Sequence, residues 1–208
     1  AFETAMEAAD VANEIGLPIQ FNTTVTAETV RDLRAIANLA EEKDVAMWEV
    51  FFLVPVGRGE KLSQLSITDV VETLEWLYRR SRDAPYRVIT VEAPFYRRVA
   101  MDVQHDLGER PRPVGSTGAG SGFVFVSHTG EVYPSGFLSL SAGNIRDESL
   151  VSIYRDSELM QRIRDPAAFE GPCGSCSVSQ VCGGSRSRAY AATGSPVESD
   201  PLCPWAVD

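Results

Sequence analysis

The sequence predicts an α/β protein in two parts. Parallel strands alternate with helices over residues 1–108, and a small loop-rich domain with a β-hairpin and helices follows over 109–208. Three observations carry this expectation. Strand-like and helix-like segments alternate through the first part, composition turns rich in Gly, Pro and Ser at GERPRPVGSTGAGSG, and all four cysteines lie at or beyond residue 173.

The chain opens on AFETAMEAADVANEIG, where Met6, Ala9 and Ile15 recur at helical spacing and Gly16-Leu17-Pro18 forms a stop, which predicts an amphipathic helix. This start has neither an initiating Met nor an export signal, so the expectation is the C-terminal piece of a longer protein. IQFNTTV is β-branched and bounded by Pro18 and by Thr26, a candidate helix N-cap. The helix after it carries Val30, Leu33, Ala37 and Ala40 on one face. MWEVFFLVP is continuously apolar, as suits a parallel strand covered on both sides. VGRGEKLSQL is a loop. Ser66 and Asp69 resemble a capping box, and Ile67, Val70, Val71, Leu74 and Leu77 follow at helical spacing. RVITVE closes the set as a further strand. These elements fall short of a closed barrel, which needs eight strands and eight helices. GERPRPVGSTGAGSG then predicts a linker or exposed loop, and FVFVSHTGEVYPSGF a hairpin turning at His128-Thr129-Gly130. One helix follows, with Leu150, Ile153, Tyr154 and Ile163 facing inward.

No run approaches the roughly 18–20 apolar residues of a membrane span. A net charge of −10 argues against a nucleic-acid surface, which needs clustered Lys and Arg. Only Lys43 and Lys61 are lysines among 19 basic residues, a balance that suits a salt-rich cytoplasm or a GC-rich genome. The expectation is a cytoplasmic protein with no nucleic-acid and no membrane partner.

Cys173, Cys176, Cys182 and Cys203 are spaced C-x2-C-x5-C-x20-C in Gly-rich sequence. A C-x2-C pair lets two thiolates converge on one centre, and Gly174, Gly183 and Gly184 free the backbone to wrap it. Four sulfurs suit one tetrahedral zinc or one four-iron cluster. Disulfides sit poorly with a chain that has no export signal and so much cysteine-free α/β sequence. Zinc sites commonly pair two short hooks. The x5 gap and the distant Cys203 lean towards iron-sulfur, with zinc left open.

This C-x2-C-x5-C run and its distant cysteine, preceded by SHTGEVYPSGFL and GNIRDESLVSIYRDSELMQRIRDP, resemble the SPASM domain of radical S-adenosylmethionine enzymes. CGGSRSRAYAATG and DPLC are similar to the ends of SPASM proteins of the haem-biosynthesis group, and FNTTVT and WEVFFLVPVGRG to later strands of their barrel. The resemblance implies the C-terminal part of a partial (β/α) TIM-like barrel followed by a SPASM domain. It implies a portion of an oxidoreductase-type enzyme that modifies a tetrapyrrole or a peptide. One auxiliary 4Fe-4S cluster on the four cysteines would serve electron transfer or structure. S-adenosylmethionine and a second 4Fe-4S cluster belong to the whole protein, with ferredoxin or flavodoxin as electron donor. Where the family's barrel strands meet the adenosine of the cofactor, this chain has Asn22, Thr24 and Val54. The C-x3-C-x2-C motif of radical chemistry is not in this chain; in the family it lies in sequence that would precede Ala1. The chain alone is therefore expected to be inactive, either a piece of a longer enzyme or a degenerate binding module. No catalytic residue is assigned.

A full SPASM domain holds two auxiliary clusters. Three positions that serve the first are here Thr117, Ser135 and Arg186, none a cysteine, which implies that only the second survives. The three are expected to gather, with Arg186 filling the space of the lost cluster. Arg186 and Arg188 are expected beside the surviving cluster, where positive charge raises its potential, with Tyr190 and Trp205 packed around it. Arg58, Arg97 and Arg98 are candidates for an anionic substrate such as a tetrapyrrole carboxylate, set against a solvated role. His128 and His105 suit solvated positions, with a metal or substrate contact open at His128.

Overall fold

The computed structural model describes residues 2–206. Four strands, β1 (Gln20–Val25), β2 (Met47–Phe52), β3 (Arg87–Val91) and β4 (Gly115–Ser116), form a parallel sheet in that order. Helices α1 (Phe2–Glu14), α2 (Leu33–Glu42), α3 (Ile67–Asp83) and α4 (Tyr96–Asp106) alternate with them. Register sets Asn22 beside Glu49 and Thr24 beside Phe51.

The sheet buries one face. Val25, Trp48, Val50, Phe52 and Val88 meet Leu33, Ala37 and Ala40 of α2, Val70, Leu74 and Leu77 of α3, and Val99 and Val103 of α4 in one core. Each fully buried Leu there is worth about 1.5–3 kcal/mol of transfer free energy. The Trp48 indole packs edge-on against Trp76 and Tyr86, and its N–H donates to Thr23 Oγ1 at 2.9 Å, so the buried polar tip is satisfied. Ser66 caps α3 as its sequence suggests, accepting the Asp69 N–H at 3.1 Å.

The other face corrects an expectation. Helices do not cover β2 on both sides, and its burial alternates: Trp48, Val50 and Phe52 are buried, whereas Met47, Glu49 and Phe51 are half-exposed on the open face with Asn22 and Thr24. Phe51 meets Phe137 edge-on at 6.4 Å, so a loop from the second half of the chain covers part of that face. Four smaller differences follow from tertiary contacts. Ile15 lies beyond the end of α1 and is 72% exposed. Thr26 organises the turn before α2 rather than capping it, its Oγ1 accepting the N–H of Glu28 and Thr29. The Gly/Pro/Ser-rich stretch supplies β4, which pairs with Ile89 and Thr90 of β3. The single helix expected after the hairpin is two, α5 (Leu150–Asp156) and α6 (Glu158–Arg164), because Ser157 caps the second; Leu150 is exposed rather than inward.

The hairpin pairs β5 (Phe125–Val126) with β6 (Glu131–Tyr133), and β7 (Gly143–Asn144) adds to β6. Gly130 ends the turn at φ +92°, where a Cβ would stand 2.6 Å from Asn144 Oδ1, so only glycine fits. Val132, Ile153, Met160 and Ile163 make a second small core. Two further helices complete the chain: α7 (Gly171–Ser175) and α8 (Arg186–Thr193), which stops at Gly194 in the left-handed conformation. Among the described residues no helix is long and apolar enough to cross a membrane.

Candidate metal centre

Cys173 sits within α7, a short helix started by Pro172, and Cys176 is its C-terminal cap. The chain then turns through residues 177–181, with the Cys182 N–H donating to the Val178 carbonyl at 3.0 Å. Gly183 and Gly184, at φ +70° and +67°, carry it to Ser185, the N-cap of α8. The return of Cys203 from a distant position rests on Asp200. Its carboxylate accepts the N–H of Ser185 at 2.8 Å and of Leu202 at 3.0 Å, and its carbonyl accepts the Cys203 N–H at 3.0 Å. Ser199 makes a parallel tie, its Oγ accepting the Cys173 N–H at 2.8 Å. Together these bonds bring the four cysteines to the lining of one pocket, with Pro172, Val178, Trp205 and Arg98 around them.

The chemistry of this pocket disfavours free thiolates. Burial, reinforced by the nearby Cys203 and Cys173, pushes the Cys182 thiol up to about 12 against a single Gly184 N–H that favours the anion. Burial raises Cys203 as well, opposed by the Trp205 N–H and assisted by Cys173. A cationic centre supplies the compensation such thiolates need, and the donor set of four sulfurs suits one. Among the described residues no group of three or more His, Cys, Asp and Glu side chains is arranged to share a single metal ion. Four sulfurs lining one pocket suit one tetrahedral zinc or one four-iron cluster.

Two arginines flank the site, as expected, and they do different work. Arg188 is fully buried and pairs with Asp200 at 2.7 Å, while its Nε and Nη2 donate to the carbonyls of Leu53 at 3.2 Å and Glu92 at 2.7 Å. It therefore ties the cysteine loop to the C-terminal ends of β2 and β3. Arg186 donates from Nη2 to Cys173 Sγ at 3.8 Å and from Nη1 to the carbonyls of Pro196 and Glu198.

That direction corrects the expected gathering of Thr117, Ser135 and Arg186. The Thr117 loop and the Ser135 segment do adjoin, since the Gly120 N–H donates to the Pro134 carbonyl at 2.7 Å. The Arg186 side chain turns away from them to the cysteine side. The group that faces Ser135 is Glu92, buried just beyond β3 at φ +57°. Its carboxylate accepts the hydroxyls of Ser135 and Ser187 at 2.9 Å each and of Ser185 at 2.5 Å. Sequence reasoning passed over Glu92 as the end of a strand, because nothing local marks a left-handed glutamate. Asp200 was also missed, although its place before Pro201 and between two cysteines was a signal to follow.

The sequence model of the SPASM family, described as an iron-sulfur cluster-binding domain, matches residues 118–177. The match includes Cys173 and Cys176 and stops short of Cys182 and Cys203. Over 212 residues the chain is 34% identical to the AdoMet-dependent heme synthase of Methanosarcina barkeri, an alignment covering 98% of this chain and 60% of that protein. It is 35% identical over 216 residues to the AdoMet-dependent heme synthase of Oleidesulfovibrio alaskensis, covering 99% and 55%. The chain belongs to the radical S-adenosylmethionine/SPASM family. It spans little more than half the length of these relatives. Its fold is shared with Streptococcus suis SuiB, crystallised with S-adenosylmethionine, at a TM-score of 0.63 and 16% identity over 96% of this chain and 48% of that one.

The remaining candidates in this radical S-adenosylmethionine/SPASM chain divide by face. Asn22 and Thr24 are exposed on the open side of β1, Asn22 Oδ1 accepting from Gln20. Val54 is buried beyond β2, its carbonyl accepting the Val56 N–H at 2.8 Å. Arg97 is engaged with the carbonyls of Ser116 at 2.6 Å and Val181 at 3.0 Å, bracing β4 against the cysteine loop. Arg98 stacks on Trp205 with 4.0 Å between guanidinium and ring centre. Trp205 lines the pocket and Tyr190 does not. Arg58, His105 and His128 are exposed.

Proposed function

We propose that this chain is the C-terminal portion of a radical S-adenosylmethionine enzyme that modifies a tetrapyrrole of the haem pathway. In this reading Cys173, Cys176, Cys182 and Cys203 hold one auxiliary 4Fe-4S cluster. The observation that supports the ligand set is the convergence of four thiols, from segments distant in sequence, on one partly buried pocket. When bound, such a cluster supplies one-electron transfer. Four thiols for four irons leave no open iron for substrate, so the reading assigns this centre to electron transfer. The chain's own residues hold it in place: Asp200 and Ser199 fix the loops, and Pro172, Val178 and Trp205 exclude water.

The substrate class follows the names of the relatives at 34% and 35% identity. Residues 1–108 would provide barrel strands and 109–208 the cluster domain. Asn22 and Thr24 would meet the adenosine of S-adenosylmethionine on the open face, with Val54 shaping the strand end beside them. A second cluster, a ferredoxin or flavodoxin donor and a cytoplasmic location complete the proposal for the whole protein.

Anaerobic purification and metal analysis test the ligand set. About four iron and four sulfide per chain are expected, with iron lost on replacing Cys182 by Ala. One zinc and no sulfide would overturn it. For substrate, the visible spectrum of the whole protein should shift on adding a tetrapyrrole and stay unchanged with a peptide; the reverse would defeat that assignment.

A further inference from the structure

Arg186 and Arg188, one residue apart in sequence, are both buried, 3% and 0% exposed, yet only one is paired with a carboxylate. Arg188 is neutralised by Asp200. Among the described residues Arg186 forms no ion pair. Its Nη1 donates to the Glu198 carbonyl at 2.8 Å and to the Pro196 carbonyl at 3.2 Å, its Nε to the Gly184 carbonyl at 3.5 Å, and its guanidinium carbon lies 4.4 Å from the Phe169 ring centre. Carbonyls and a ring share the load without cancelling a unit charge, and a guanidinium stays charged in a protein. Among the described residues, the one ionisable group that its guanidinium hydrogen-bonds is Cys173 Sγ, to which Nη2 donates at 3.8 Å; the nearby Asp200 carboxylate is taken by Arg188.

Gly184 is shaped around this contact. A Cβ there would stand 2.8 Å from Arg186 Nη2, 2.9 Å from Asp200 Cβ and 3.6 Å from Cys173 Sγ, so the absence of a side chain is what lets the guanidinium reach the sulfur. Neither Arg186 nor Gly184 is itself a metal ligand. Both act on the sulfur of one.

We infer that Arg186 is the charge partner of the Cys173 thiolate in the loaded centre and sets that centre's reduction potential. The inference rests on the cluster reading above. A positive charge and an N–H donor at a ligating sulfur favour the state with the extra electron, so Arg186 raises the potential. It is a positioning residue that tunes its neighbour, and the relevant readout is the potential itself.

The test compares the full chain with Arg186→Gln and Arg186→Lys after anaerobic loading with iron and sulfide. Iron is counted, and the reduced centre is followed by electron paramagnetic resonance during potentiometric titration. Equal iron in all three is expected, with the Arg186→Gln centre titrating at lower potential and Arg186→Lys returning most of the way to the native value. An unchanged potential in Arg186→Gln at equal iron overturns the inference. So does an equal shift in both variants, which would mark lost packing rather than lost charge. If Arg186→Gln takes up no iron, Arg186→Lys decides: a near-native potential supports the charge role, and failure of both to load shows that Arg186 only builds the loop. A native chain that binds no iron would instead defeat the cluster reading, and this inference with it.

Discussion

Arg188 and Asp200 form an ion pair at 2.7 Å with both side chains withdrawn from solvent. Each end has further duties. Asp200 holds the loop that returns Cys203, and Arg188 reaches the carbonyls of Leu53 and Glu92 just beyond β2 and β3, so one pair joins the cysteine pocket to the sheet. Removing one partner strands the other charge in the interior. Asp200→Ala should therefore lower stability by about 3–5 kcal/mol, read as a fall in the urea midpoint. A loss under about 1 kcal/mol would show that the pair is not the tie described.

Loss of a single distant ligand should be felt by the whole centre. Cys203→Ala removes one of the four sulfurs without touching the C-x2-C turn. After anaerobic reconstitution this variant is expected to hold well under half the native iron, and Cys176→Ala to behave alike. Native iron content in Cys203→Ala would remove Cys203 from the ligand set.

The Glu92 knot should be worth more than ordinary surface hydrogen bonds. Three serines from two separate segments donate to one buried carboxylate, and hydrogen bonds to charged groups contribute about 1.5–3 kcal/mol each. Ser187→Ala should cost within that range in chemical denaturation. Combined with Glu92→Gln it should cost less than the sum of the two single changes, since both remove the same bond. Strict additivity would mean the two residues are not coupled.

Tyr96 makes alkaline stability testable. Burial, the largest influence, pushes its hydroxyl from 10.0 to about 12, despite the Ser81 hydroxyl that favours the anion. Between those values the native state keeps a proton that the unfolded chain has lost. Stability present below about pH 10 is thus lost as pH rises towards 12, by up to about 3 kcal/mol. Tyr96→Phe should flatten that decline in urea midpoint; an identical slope in native and variant would refute the assignment.

Much of this architecture is legible in local sequence. The helical spacing of Val70, Leu74 and Leu77 and the Ser66 cap place α3, and the β-branched run before Thr26 places β1, because short-range sterics and capping act over a few residues. The cysteine spacing likewise marks four candidate ligands, which the structure brings to one pocket. Coverage of β2 was not legible. A continuous apolar run looks the same whether one face or both are packed, and only the assembled sheet shows Met47, Glu49 and Phe51 on the open side.

What the sequence determined by itself is the set of elements, their α/β order and the four sulfurs of one candidate site. What the tertiary structure decided is how that site is held. Asp200 returns Cys203 to the pocket, Arg186 turns to Cys173 instead of Ser135, and Glu92 takes the serines, since each is the outcome of competition among partners far apart in the chain. A buried charge must find the partner that the fold brings near, and spacing along the chain does not record which one that is.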